Sequence, residues 1–514
     1  MTYLANTAQI READRIMIEE NLFPGILLME TAGRKATELL LMHHPGQIRF
    51  LVLAGPGNNG GDGLVMARYL HLAGKEVAIF YAQHPEKYTG DAGINYAIVR
   101  QLPIFQAIFS AETAAQWLDN HAQPPVLVDA LLGTGIHSAL REPVASILHF
   151  FQEKSLPVVA VDLPSGLSAD SGALVNVPLR AAHTYTFQFP KICHQITPAS
   201  LYCGQVHTID IGIWPSVTDR LQIRREVLDE AFLRRHAQPR TRDAHKGSMG
   251  HLLVVGGSRD MAGAIAMTGF AAIKSGVGLC TVLAPAACRH AVFSLAPELM
   301  CISPRDDAPA LGPEAVPLFR QAIRGKSAVV IGPGLGQAAE TLDFLRAVLP
   351  LIEAPLLLDA DLLNLLAAHP ALWELLPPQR VLTPHPGEMR RLSPGDVIGQ
   401  RMEVAEAFAR ERQSVLVLKG AGTVVAAPDG RTFVNSSGNP GMATGGSGDV
   451  LSGMIGALLA QSYEPGIAAA LGVFLHGKAG DLAAGLVGQA GLSATDIARH
   501  AGRAWEAALA EDGR

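Results

Sequence analysis

The sequence is poor in charge: 17% of its 514 residues are Asp, Glu, Lys or Arg, against 48% hydrophobic. A chain so composed cannot remain disordered, and its length asks for at least two compact domains. Lys+Arg 41 against Asp+Glu 47 leaves a net charge of −6, with no basic run strong enough to track a phosphate backbone, so nucleic acid is not expected as a partner. Cysteine is scarce too. The five present (Cys193, Cys203, Cys280, Cys288, Cys301) include no C-x-x-C pair, which argues against a disulfide framework or a cysteine zinc site and suits a reducing compartment. No uninterrupted apolar stretch approaches the ~18 to 20 residues a bilayer requires. The first helical pattern carries Arg11, Glu12, Asp14 and Arg15, so we expect a cytoplasmic protein with no membrane partner. Internal repeats and low-complexity tracts are absent as well, which excludes duplication as the origin of the two halves.

What the chain has in excess is glycine, 52 of 514 residues, much of it clustered after short apolar runs. The first half opens with helical patterns over 7–20, capped by Thr7, and about 26–42, then alternates helical segments with strand-like runs at 48–54, 76–82, 125–129, 157–162, 183–187 and 205–210. From Trp214 to Arg242 the alternation stops and charge and proline rise, which marks a domain boundary. It then resumes, with strands expected at 251–256, 278–283, 328–331, 355–359, 415–418 and 423–426. Apolar strands separated by helices predict an α/β fold with parallel sheets covered on both faces, and binding chemistry at the strand C-termini. We expect domains at 1–220 and 225–514.

The first strand runs into Gly55-Pro56-Gly57-Asn58-Asn59-Gly60-Gly61-Asp62-Gly63, a G-x-G-x-x-G turn ahead of a helical segment. Such a turn cradles phosphate, so a dinucleotide-binding dehydrogenase is the first reading. Two details oppose it. Gln83 stands where a ribose-binding acid belongs, and Asp62 would repel a pyrophosphate unless its charge were compensated. Asp129 and Asp162 fall at later strand ends, and Asn59, Asp129 and Ser165 offer the oxygen ligands a hard cation takes; each could instead be a helix cap.

In the second half Asn439 to Asp449 (NPGMATGGSGD) precede an apolar helix. Its glycines and helix N-terminus can stabilise charge on a transferred phosphoryl group, with Asp449 placed to take the proton of an attacking hydroxyl. No G-K-[ST] follows, which excludes a P-loop. Lys419-Gly420-Ala421-Gly422-Thr423 presents a cation and backbone donors suited to nucleotide phosphates, and His385 lies in a proline-flanked turn.

These motifs carry a resemblance. NNGGDG, DALLGTG, DLPSG and TFQFPK resemble, over residues 7 to 215, the NAD(P)H-hydrate epimerase domain of the bifunctional NAD(P)H-hydrate repair enzymes. HKGSMGHLLVVGGS, GPGLG, LLLDADLLNLL, LTPHPGE, VLKGAGT, NPGMATGGSGD and FLHGKAGD are similar, over about 225 to 510, to the ADP-dependent (S)-NAD(P)H-hydrate dehydratase domain of the same family. The resemblance implies a Rossmann-like three-layer domain followed by a ribokinase-like one. The first would epimerise the R and S forms of a dinucleotide hydrated at C6 of its nicotinamide ring; the second would dehydrate the S form at the expense of ADP, giving AMP and phosphate.

In the first domain the resemblance implies that Asn58, Asn59, Gly60, Gly61 and Asp62, with Gly133, Thr134, Gly135, Ile136, His137, Ser138 and Ala139, hold the substrate. Asn59, Asp129 and Ser165 would bind K+, and Asp162 would touch the hydrated ring and move the proton. In the second, Ala264, Gly336, His385 and Asp449 would face hydrated NADH or NADPH. Lys419, Gly420, Ala421, Gly422, Thr423, Gly445, Gly446, Ser447 and Gly448 would bind ADP, with Mg2+ neutralising its phosphates. A homo-oligomer is expected. The rival readings are a vitamin or sugar kinase fused to a dehydrogenase, and a dinucleotide sensor without turnover.

Overall fold

The computed structural model describes residues 1–120, 123–135, 139–176, 178–304, 308–395, 397 and 399–510. The chain divides into two compact units, Thr2–Arg225 and Glu226–Arg514, Met1 grouping with the latter.

The first unit is built on seven strands: β1 (Arg49–Ala54), β2 (Glu76–Tyr81), β3 (Phe105–Ile108), β4 (Val126–Ala130), β5 (Val158–Val161), β6 (His183–Phe187) and β7 (Gln205–Ile209). They lie in the order β3-β2-β1-β4-β5-β6-β7, every pair parallel. β1, β4 and β5 are buried along their whole length. Helices therefore cover both faces, and apolar clusters fill each side: Phe50, Val52, Leu64 and Leu70 on one, Leu51, Leu53, Trp117 and Phe151 on the other. The strand order reverses between β1 and β4, which opens a crevice at their C-terminal ends. β3 was not expected; it is a half-exposed edge strand, Phe-Gln-Ala-Ile, without a continuous apolar run.

The first helix is shorter than expected and differently capped. It spans Thr7–Arg15, and Asn6, not Thr7, closes a capping box with Gln9. Thr7 is instead the first helical residue and is tied to Asp170, its N–H and hydroxyl 2.7 and 3.0 Å from Oδ1. A π-helical turn, Ile16–Glu20, continues the segment, and a long helix follows at Gly25–His43.

The second unit holds ten strands: β8 (Arg225–Leu228), β9 (His251–Val255), β10 (Leu279–Leu283), β11 (Met300–Ile302), β12 (Ala328–Ile331), β13 (Leu356–Leu358), β14 (Arg380–Leu382), β15 (Val415–Leu418), β16 (Val424–Ala426) and β17 (Thr432–Asn435). Their order is β11-β10-β9-β12-β13-β14-β15-β16-β17-β8. Pairing is parallel from β11 to β15, and β16 and β17 add an antiparallel extension. β8, β11, β14 and β17 went unforeseen, being only three or four residues long and mostly interrupted by polar side chains.

The helices Ala262–Lys274, Ser447–Ala460, Pro465–Val487 and Ala494–Leu509 supply much of this unit's core. Pro465–Val487 is long and apolar enough to cross a membrane by length and composition, although His476, Lys478 and Asp481 interrupt it. Some 72% of its most apolar window is buried inside the unit, the setting of a core helix that is hydrophobic on all sides.

Candidate active sites

At the end of β1 the chain can turn only because glycines leave room. A Cβ on Gly55 would meet the Leu131 carbonyl oxygen at 1.7 Å, and one on Gly60 would meet the Gly55 oxygen at 1.8 Å. Part of the glycine signal therefore serves close backbone packing. Gly57 caps the helix Asn58–Leu72, so Asn58 to Asp62 form its first turn. Asn58, Asn59 and Asp62 border a cavity of about 530 Å³ at the crevice, lined also by Gly133, Thr134, Gly135 and Asp162, whereas Gly60 and Gly61 pack away from it, against Gly55 and Met29. Ala139 does not line it, and Ile136, His137 and Ser138 lie outside the described residues.

The three expected cation ligands are linked through Leu132 behind this crevice, and of them only Asn59 lines it. Ser165 binds buried Asp129 twice, its N–H 2.8 Å from Oδ2 and its hydroxyl 2.6 Å from Oδ1, while the Leu132 N–H donates to the Ser165 hydroxyl at 3.0 Å. Asn59 donates through Nδ2 to the Leu132 carbonyl at 2.8 Å, which leaves its buried Oδ1 with no hydrogen-bond partner. An orphaned amide oxygen beside a buried carboxylate is what an oxygen-seeking monovalent cation would satisfy. The residues fit the group.

Asp162 follows β5 in a left-handed backbone conformation, φ 67°. Its Oδ1 pairs with the ammonium of Lys191 and accepts from the Thr186 hydroxyl at 3.2 Å; the ammonium also donates to Thr186 Oγ1 at 2.7 Å. Lys191 is buried. Two more carboxyls belong to this group. Burial pushes Asp62 well above the usual carboxylate range, with Asp162 and Asp14 adding to the shift. A neutral Asp62 removes the repulsion toward a pyrophosphate that the sequence suggested. Asp14 is raised to about 6, first by burial, then by Asp162, against the pull of Lys191. Sequence reasoning gave neither Asp14 nor Lys191 a role. Lys191 stood within the TFQFPK motif; nothing local marked Asp14, which reaches the cavity only because the first helix folds over it.

In the second unit the site residues again cluster at strand C-termini. Gly256 follows β9, Gly332 follows β12, Asp359 follows β13, Thr383 to His385 follow β14, and Lys419 follows β15. The loop after β12 packs on the helix Ala262–Lys274, where a Cβ on Gly334 would lie 3.2 Å from Ala264 Cβ. Gly336 donates its N–H to Asp361 Oδ2 at 2.9 Å.

Lys419 differs from the outward cation expected for a nucleotide. Its side chain is 18% exposed and donates to Asp359 Oδ1 at 2.9 Å, with Glu388 Oε2 at 3.9 Å. Two buried carboxylates, Asp359 and Glu388, thus stand beside its ammonium. Ser452 completes Asp359, donating to Oδ2 at 2.7 Å. The rest of the loop is held from behind: buried Arg401 donates to the carbonyls of Leu418, Lys419 and Ala421, and the Thr423 hydroxyl bonds the Gly420 carbonyl at 2.8 Å. His385 caps the short helix Pro386–Leu392, its Nδ1 accepting from the N–H groups of Gly387 and Glu388 at 2.9 and 3.3 Å. The ring is otherwise half-exposed.

Asp449 is the third residue of the helix Ser447–Ala460, which Gly446 opens at φ 88°. Helix geometry leaves the Gly448 and Asp449 N–H groups without intrahelical acceptors. Burial raises the Asp449 carboxyl to about 7, with Asp359, Asp361 and Glu388 adding and Lys419 opposing. That value suits a group that takes and returns a proton near neutrality. Two supports were missed in the sequence although both lie in the quoted FLHGKAGD run. Buried His476, lowered to about 4 by desolvation, places Nε2 3.4 Å from the Ser447 hydroxyl. Asp481 accepts from the Gly438 N–H and from Asn439 Nδ2, both at 2.9 Å, and so clamps the loop ahead of the helix.

A doubly wound parallel module with a carboxylate-lined crevice, and a second module with an acid at the mouth of a glycine-led helix, define a two-domain enzyme, Rossmann-like and then ribokinase-like. Residues 26–193 match the family described as YjeF-related protein N-terminus, and residues 252–503 that described as NAD(P)H-hydrate dehydratase. The chain is 39% identical over 503 residues to the bifunctional NAD(P)H-hydrate repair enzyme Nnr of Moorella thermoacetica, covering 96% of this chain and 95% of that one. Against the Escherichia coli enzyme of the same name it is 37% identical over 475 residues, 91% of this chain and 87% of the other. A solved structure from Streptococcus mutans, a hypothetical protein, matches 55% of the chain and 100% of its own length at 28% identity and TM-score 0.50. The chain belongs to the family of bifunctional NAD(P)H-hydrate repair enzymes, with an epimerase and a dehydratase domain.

Proposed function

We propose that the first unit equilibrates the two C6 epimers of the hydrated dinucleotide and that the second removes water from one of them with ADP as phosphoryl donor. The observation that carries the reading is Asp449, a carboxyl poised near 7 at the N-terminus of a glycine-led helix. Asp449 takes the proton of the C6 hydroxyl as its oxygen attacks the β-phosphorus of ADP; the bond to the α-phosphate bridge breaks and AMP leaves. The ring nitrogen then pushes out inorganic phosphate, and loss of the C5 proton restores the dihydronicotinamide. The N–H groups of Gly448 and Asp449 face the charge that gathers on the transferred group. Gly445 to Gly448 form the nucleotide's phosphate seat, and Ala264, Gly336 and His385 border the hydrated dinucleotide. Asp359 and Glu388 both lean on Lys419, so Mg2+ would ride chiefly on the phosphates of ADP, where it neutralises charge.

In the first unit the Asp162 carboxylate, oriented by Lys191 and Thr186, is the proton-transfer group toward the hydrated ring, and Asp14 is its complement. Reversible loss of the C6 hydroxyl needs an acid for the departing oxygen and a base for the returning water, and a carboxyl near 6 can be either. Asn59 and Asp129 would hold K+, with Ser165 fixing the Asp129 carboxylate; the ion would supply positive charge at the wall of the crevice.

The test is hydrated NADH supplied with ADP or with ATP, following recovery of the reduced-ring absorbance and release of phosphate. Recovery with ADP that Asp449→Ala abolishes supports the reading. Recovery that survives Asp449→Ala, or epimers that equilibrate at the normal rate in Asp162→Ala, overturns the assignments.

A further inference from the structure

Strand alternation divides β6 between two tasks. Thr186 faces Asp162 and Lys191. His183 and Tyr185, two residues apart, point to the other face, toward the C-terminal end of the helix Gly25–His43. Directly across the register from Tyr185 stands His207 of β7. None of these rings lines the crevice.

Four imidazoles meet there. His43 stacks on His183 with centroids 4.3 Å apart and planes 11° from parallel, and lies 4.5 Å from His207. His183 Nδ1 and His207 Nε2 are 3.1 Å apart, sharing one hydrogen bond. One nitrogen each from His43, His183 and His207 fall within 4.8 Å of one another. His44 stands edge-on to His183 at 5.9 Å, and its buried Nε2 has no hydrogen-bond partner.

We infer that His43, His183 and His207 form a binding site for a late first-row divalent metal ion of the zinc type, separate from both active sites. Packing alone would be served by apolar or phenolic rings and does not require three imidazole nitrogens within 4.8 Å of one another. Bonds of about 2.0 to 2.1 Å in a tetrahedral site put ligand nitrogens about 3.3 to 3.4 Å apart. The His183–His207 pair is already near that spacing, and an ion replaces the proton between them. The third nitrogen needs a shift on the order of 1 Å together with a turn of the His43 ring out of its stack on His183, both within reach of a side-chain rotation. Tyr185 orients the His43 ring, its hydroxyl 2.8 Å from Nδ1.

The ligand chemistry selects the ion. Imidazole nitrogens favour Zn2+, Ni2+ or Cu2+, whereas K+ and Mg2+ prefer oxygen, so this site does not compete with those proposed for catalysis. The three rings are half-buried, which leaves them reachable by an ion from solvent. Desolvation and the neighbouring rings hold His183 and His207 below the ordinary histidine value, which keeps lone pairs available at neutral pH. An ion bound here would tie the end of a helix to two strands some 140 to 165 residues further along the chain, and so would favour the folded form by mass action.

The test uses the full-length protein, stripped with a chelator and titrated calorimetrically with Zn2+, with Co2+ as a spectroscopic probe. One equivalent of Zn2+ should bind, Co2+ should give the visible absorption of a tetrahedral nitrogen site, and Zn2+ should raise the thermal midpoint. His183→Gln and His207→Gln should each weaken binding at least tenfold and abolish the rise, with dehydratase activity unchanged. Wild-type protein that binds no Zn2+, or variants that bind it with unchanged stoichiometry and affinity, would overturn the inference. If His183→Gln does not fold, the half-exposed edge-strand variant His207→Gln decides by the same two readings.

Discussion

Lys419 donates to Asp359 across 2.9 Å in the second unit, and a Cβ on Gly448 would stand 3.3 Å from the same ammonium, one residue ahead of Asp449. Burial chiefly sets the proton affinity of the residue proposed as the base, and these two charges adjust it in opposite directions. Asp359 pushes the Asp449 carboxyl up and Lys419 draws it down. Asp359→Asn should therefore shift the acidic limb of the dehydratase pH profile to lower pH, and Lys419→Met should shift it to higher pH, each by roughly one unit as expected for a single neighbouring charge. The measurement is kcat/KM for hydrated NADH with ADP between pH 5 and 9. Shifts in the same direction, or none, would dismiss this coupling.

The same carboxyl sets a stability cost. Its folded value, about 7, stands above the unfolded reference of 3.8, so the folded state binds the proton more tightly. Asp449 is then neutral to folding below pH 4 and increasingly unfavourable as pH rises toward and through 7, where the folded protein must ionise it. Asp449→Asn should stabilise the protein at pH 8 by about 2 kcal/mol, an allowance below the full linkage value because water still reaches the site. At pH 4 it should have little effect. Chemical denaturation of the wild type and the variant at the two pH values gives the comparison.

Much of this was legible from residue order. Apolar runs marked the buried strands, and DALLGTG, DLPSG and the glycine-led Asp449 loop marked their C-terminal ends, because a parallel sheet puts its binding edge there. Short strands such as β14, Arg-Val-Leu, gave no such signal, since three residues carry no readable alternation. The site was incomplete for a related reason. Asp14, Lys191 and His476 reach their places through tertiary packing; Lys191 and His476 lay inside quoted motifs, but neither they nor Asp14 carried a local sign of the groups the fold sets beside them. Lys419 shows a different gap: a lysine after a strand reads as a phosphate ligand, and the sequence gives no sign of the Asp359 carboxylate that the fold sets beside it.

Ser165 uses its N–H and its hydroxyl to fix both oxygens of Asp129, while Asn59 keeps Oδ1 unsatisfied. Ser165→Ala should free the carboxylate to rotate and raise the K+ concentration needed for half-maximal epimerisation roughly tenfold, the usual effect of losing a group that orients a ligand. Asn59→Ala should do at least as much, and the dehydratase rate should not move. Epimer exchange followed by chromatography over a K+ series, with Na+ holding ionic strength constant, reads the effect. An unchanged half-saturation in both variants would remove this trio as the cation site.

Asp14 supplies the sharpest test of the epimerase assignment, because two roles predict different profiles. As a proton-transfer group raised to about 6, it should impose an ionisation near that value on the wild-type rate. Asp14→Asn should erase this ionisation and lower the maximal rate by about 10² to 10⁴, the range typical of general acid–base catalysis. A residue that only shapes the cavity would leave the ionisation in place and act mainly on KM. Asp14→Glu separates chemistry from shape: it retains a titrating carboxyl on a longer arm and should recover part of the rate with a displaced ionisation. The pH dependence of epimer exchange should be measured for all three proteins at saturating K+. If Asp14→Asn keeps both the wild-type rate and its limb near pH 6, proton transfer rests with Asp162 and Lys191 alone.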